Sequence, residues 1–188
     1  MKKFLFALCL ATVPIFLFAQ SSSKLPEVDK SPMDMSYFPI NYPVLKIQNK
    51  VTDPILMRVI YSRPQKQGRS VFSELVEYGK VWRLGANEAT EIEFYKDVKI
   101  DGKKIPKGRY TLYAVPNETN WTVIINKDTD TWGAFKYDAK KDLLRTDVIT
   151  QKTDEVVESL SMAFEKIDKG ANLVIAWEQV RAVLPINF

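Results

Sequence analysis

Arg83, Asn87 and Glu88 stand within six residues of one another in the run Trp82-Arg-Leu-Gly-Ala-Asn-Glu-Ala-Thr90. An arginine offers a planar fork for a carboxylate or phosphate, and an amide and a carboxylate add donors and acceptors. A second basic group, Tyr61-Ser-Arg63-Pro64 with Gly68-Arg69, lies beside the end of an apolar run and could line an anion site. Trp82 and Trp132 fall in polar stretches, where an indole is expected as an exposed stacking surface. The expected ligand-binding residues are therefore Arg63, Arg69, Trp82, Arg83, Asn87, Glu88 and Trp132. Trp121 and Trp177 alternate with apolar residues and are expected in the core.

Other chemistry is narrower. The only cysteine is Cys9, and there is no histidine. Ser-His-Asp and Cys-His catalysis, Cys/His zinc sites and histidine-ligated haem all require residues this chain lacks. No Gly-rich nucleotide-binding pattern is present. Asn126, Asp128 and Asp130 alternate like the start of a calcium loop, but Thr131 replaces the glycine that such a loop needs and Tyr137 its closing glutamate. Glu91 and Glu93 share one strand face about 7 Å apart, from twice the strand rise. That spacing permits paired-carboxylate hydrolysis. It is also common on a solvated strand. No catalytic residue, metal or cofactor is assigned on this basis.

These residues need a scaffold. Lys2 and Lys3 precede the apolar run Phe4–Phe18, which ends at Ala19 before Gln20 and three serines. This is the pattern of a cleaved signal peptide over residues 1–19. Export to the periplasm, cell surface or medium is expected, with membrane contact through that peptide alone. Without Lys2 and Lys3 the 27 basic residues become 25 against 23 acidic, a net +2, spread along the chain. No nucleic-acid stripe is indicated.

Residues 20–50 carry Pro26, Pro32, Pro39 and Pro43 and read as a partly flexible leader, with a short edge strand near Tyr37–Val44 and no helix. From residue 51, about ten apolar, β-branched runs alternate with turn signals, among them Asp101-Gly102. The connections are too short for parallel crossovers. The expectation is one all-β domain, residues 51–188, an antiparallel β-sandwich of jelly-roll type with one or two short helices, at Ser70–Tyr78 and Tyr137–Leu143.

The combination of Tyr61-Ser-Arg-Pro64, Tyr78-Gly-Lys-Val-Trp-Arg-Leu-Gly-Ala-Asn-Glu-Ala-Thr90, Asp101–Tyr113, Trp121–Asn126 and Trp132-Gly-Ala-Phe-Lys-Tyr137 resembles a bacterial secreted family catalogued as domain of unknown function 2911. The resemblance spans about residues 30–187. It implies an exported, β-rich envelope protein and no particular reaction. Three functions follow in order of preference. The first is a non-catalytic binding module for a small anion or saccharide. The second is a carboxylate-dependent hydrolase or lyase. The third is a structural or partner-binding envelope protein. The oligomeric state is left open.

Overall fold

A computed structural model describes residues 25–188. The expected signal peptide lies outside them, as do residues 20–24 of the leader. Nine strands form the fold: β1 (Met33–Phe38), β2 (Met57–Ser62), β3 (Glu91–Phe94), β4 (Val98–Ile100), β5 (Lys103–Ile105), β6 (Gly108–Pro116), β7 (Asn120–Asn126), β8 (Asp142–Ile167) and β9 (Gly170–Asn187). Every ladder between them is antiparallel. The all-β antiparallel class is as expected. In place of two stacked sheets, the strands form one sheet in the order β1-β2-β3-β6-β7-β8-β9-β4-β5.

Two long strands account for the difference. The runs read separately as Leu143–Thr150 and Leu160–Phe164 are one strand, β8, and the last two runs are one strand, β9. β8 pairs with β7 from Asp142 to Ile149 and with β9 from Thr150 to Ile167. Register shifts flank Val157, and its partner Glu178 has φ 55. Such bulges bend a strand and add twist. The bend in β9 is large. A Cβ built on Gly170 would lie 1.9 Å from the carbonyl oxygen of Ile186. Sixteen residues of straight strand would hold these points roughly 50 Å apart. The N–H of Phe188 also donates to Lys169 O at 2.9 Å.

The sheet's other end curls to meet β8. The N–H of Lys66 donates to Glu158 O at 2.8 Å, and that of Leu160 to Pro64 O at 3.0 Å. The larger apolar core fills the enclosed space, with Met57, Val59, Ile92, Leu112, Trp121, Ile125, Leu160, Leu173 and Ile175 all at or near zero exposure, and a smaller cluster of Ala89, Tyr113 and Ile124 packs apart from it. Alternation in β2 and β3 places Met57, Val59 and Ile92 inward.

The leader is more ordered than its prolines suggest. β1 lies at Met33–Phe38, earlier than expected, and helix α1 follows at Tyr42–Ile47. Pro43 falls in the first turn of α1, where its missing N–H has no intrahelical partner to lose. The helix expected at Ser70–Tyr78 is absent. Val71, Phe72 and Val76 point into the core from turns, and Ser73 has φ 94. Helical spacing there reflects a packed loop. At Tyr137–Leu143 the helix shrinks to one 3₁₀ turn, Ala139–Lys141, capped by the Asp138 carboxylate.

Candidate functional site

The connection from Trp82 to Thr90 crosses the mouth of the curled sheet. It has little regular structure and is fixed by bonds at almost every residue. Trp82 N–H donates to Ala114 O at 2.7 Å, and Thr90 N–H to Arg83 O at 3.0 Å. The Thr90 hydroxyl donates to Leu84 O at 2.7 Å. Buried Ser62, on β2, accepts the N–H of Ala86 and donates to Ala86 O, both at 2.7 Å. Leu84 is fully buried yet has φ 54. A bulky residue in that region is strained, and such strain persists only where neighbours over-determine it. Gly85 is needed beside it, because an added Cβ would come 2.6 Å from Ser62 Oγ.

This rigid loop forms one wall of a cavity of about 420 Å³. Arg83 lies on it, with no hydrogen bond or ion pair to its side chain among the described residues. Its Nε is buried without a partner. Burial lowers the pKa of the guanidinium from the ordinary arginine value, so the charge is held at a cost. The opposite wall is the turn Gln65–Arg69. Glu158 accepts the N–H of Gln67 at 2.7 Å. Glu178 pairs with Lys66 at 3.0 Å and accepts the N–H of Val71 at 3.2 Å. The guanidinium of Arg69 donates to Lys66 O at 3.0 Å and Gln65 O at 2.7 Å. Lys30, from the leader, completes the rim. Leu75, Val76, Trp82 and Trp177 supply the apolar lining. Among the described residues, three cationic side chains border the cavity and no carboxylate does.

The seven expected residues divide between places. Arg69, Trp82 and Arg83 line this cavity. Asn87, Glu88 and Trp132 line an adjoining concavity, where Ser31 is shared between the two. Arg63 lines neither: it pairs with Asp34 at 3.0 Å and bonds to Leu160 O and Ser161. It ties β1 to β8. Trp82 is not an exposed platform. It is 7% exposed, stacked on Trp177 at 6.0 Å and edge-on to Trp121 at 5.8 Å. Its polar surroundings in sequence misled because its flanking residues turn outward while the indole points in. Trp132 is 63% exposed and stacks on Phe135 at 5.8 Å.

Sequence reasoning missed Lys30, Gln67 and Trp177 as lining residues. Trp177 carried a signal of its own, an indole in an inward-facing register, which correctly gave burial but could not give a cavity edge. Lys30 carried none.

The other chemistries find no shared geometry. Glu91 bonds the Asp130 N–H at 2.7 Å and faces Arg109 at 3.4 Å, and Glu93 is held by Arg58 at 2.8 Å. In the calcium-like stretch, Asp128 pairs with Lys141 and Asp130 with Arg109, while Asn126 is buried against Asp142. Among the described residues no group of three or more Asp, Glu, His or Cys stands together as a metal site, and no helix is long and apolar enough to cross a membrane.

The profile of a family described as "Protein of unknown function (DUF2911)" matches residues 43–186. The chain belongs to this family. The match takes in both walls of the cavity apart from Lys30 and Ser31. No curated protein and no solved structure matches the chain.

Proposed function

We propose that this chain is exported and acts in the cell envelope as a non-catalytic binding protein for a small organic anion, held in the Arg83 cavity. The observation that carries the reading is the buried Arg83 Nε, which has no partner among the described residues, on a cavity that these residues border with Arg69 and Lys30 and with no carboxylate. An unpaired, partly buried guanidinium is costly, and an anion that accepts from its fork relieves that cost. Leu75, Val76 and the edges of the buried Trp82 and Trp177 indoles give the cavity its apolar lining. Export rests on the Lys2-Lys3 start and the apolar run that follows it.

Tryptophan emission tests the reading, because two indoles line the cavity. The protein is titrated with acetate, benzoate, glucuronate and phosphate. At least one organic carboxylate is expected to give a saturable change, with affinity weakened about tenfold or more in Arg83→Gln. Arg83→Lys is expected to recover only part of it, since the ammonium keeps the charge but not the fork. Identical titrations in wild type and Arg83→Gln, or none that saturate, contradict the proposal.

A further inference from the structure

The Arg83 cavity opens onto a second concavity of opposite chemistry. The loop runs from one to the other: Arg83 and Ala86 line the first, Asn87 and Glu88 the second, and Ser31 borders both. The second holds the acceptors Asp29, Asn87 and Glu88, the indole of Trp132 and, among the described residues, no lysine or arginine. Asp29 already accepts the Ser31 N–H at 2.6 Å, while the Glu88 carboxylate has no partner among the described residues. Trp132 and Phe135 are 63% and 80% exposed and nearly parallel, at 14°. Two adjoining aromatics left this open mark an interaction surface more than ordinary solvent-facing structure.

The pair is also built in place. Gly133 has φ 73, and a Cβ there would come 2.6 Å from the Phe135 ring, so only glycine lets that ring fold back towards Trp132. Gly133 N–H donates to Asn87 O at 2.8 Å, and Ala89 N–H to Thr131 O at 3.0 Å. These bonds fix the aromatic turn to the same loop that carries Arg83.

We propose that the anion is the acidic end of an oligosaccharide. One carboxylate-bearing sugar sits at Arg83, and neutral sugar units run past Ser31 onto Trp132. This rests on the anion-cavity reading. The chemistry of the second concavity selects the neutral part. The electron-rich face of an indole attracts the weakly positive C–H groups of a sugar ring. Carboxylate and amide oxygens accept sugar hydroxyl protons. Asp29 and Glu88 repel a second acidic sugar, so a uniformly acidic chain does not fit.

The test is calorimetric. Glucuronate, galacturonate and N-acetylneuraminate are compared with trisaccharides that join each to two neutral sugars, and with neutral trisaccharides. At least one acidic trisaccharide is expected to bind about tenfold tighter than its own acidic monosaccharide. Trp132→Ala, a change at an exposed side chain, is expected to abolish that gain and leave monosaccharide binding unaltered. Equal affinity within every pair, or a gain that survives Trp132→Ala, overturns the oligosaccharide proposal while Arg83-dependent monosaccharide binding upholds the anion cavity. Failure of every monosaccharide and trisaccharide to bind counts against both.

Discussion

Arg83 is kept in place by its neighbours' backbones rather than by a partner for its charge. The Ser62 hydroxyl clasps both polar groups of Ala86, and Thr90 returns to the carbonyls of Arg83 and Leu84. Ser62→Ala leaves the half-buried N–H and carbonyl of Ala86 without this partner and should cost about 1 kcal/mol, read as a lower urea midpoint with an unchanged slope. The same variant should weaken carboxylate binding, because the loop that presents Arg83 loses its clasp. A variant with the wild-type midpoint would show that the clasp is incidental. At this scale the sequence was informative where chemistry is intrinsic to a residue type. Arg83, Arg69 and Trp132 were legible as polar or aromatic residues in loops. Arg63 has the same credentials, but its role as a tie to Asp34 depends on a partner 29 residues away, which no local pattern reveals.

The long strands β8 and β9 hold one wall of the cavity, the Gln65–Arg69 turn, in place. Their curvature brings Glu158 and Glu178 against the Gln65–Val71 segment. Gly170 is where that curvature brings the two ends of β9 together. Gly170→Ala places a methyl group against the Ile186 carbonyl, which must move, and should destabilise the fold by about 3 kcal/mol. Thermal unfolding of this variant close to wild type would mean that the ends of β9 are not packed together. Antiparallel pairing was legible from alternation and from hairpin signals such as Asp101-Gly102, which does join β4 to β5. The joining of apolar runs into two long strands was not. The polar stretch Lys152–Glu158 reads as a loop, yet it is the exposed bend of β8. Likewise Pro43 reads as a helix breaker, and only its place in the first turn makes α1 possible.

Across the whole molecule, tyrosines join core and surface. Tyr137 packs edge-on to Tyr113 at 5.3 Å and donates to the Asp142 carboxylate at 2.5 Å. Burial, and then that hydrogen bond, push its pKa up from 10.0 to about 12. Tyr61, Tyr78, Tyr95, Tyr110 and Tyr113 are raised in the same direction, chiefly by burial. The folded chain therefore holds phenolic protons that the unfolded chain releases. Their stabilisation is complete below pH 10 and is lost as pH rises towards 12. Urea midpoints should fall steadily over that interval, and less steeply in Tyr137→Phe. Midpoints that hold constant or rise would contradict this assignment.

Anion binding at this cavity turns on one guanidinium, and the resonance of that group reports on it without an intermediary. In a ¹⁵N-labelled sample, the Arg83 Nε–H signal is assigned by its loss in Arg83→Gln and followed as glucuronate is added. A saturable shift of that signal is expected, as its buried N–H, unpartnered among the described residues, gains an acceptor, while the signals of Arg58 and Arg63, each already paired, stay in place. An Arg83 signal that never moves, or one that moves only in step with every other arginine, would contradict it.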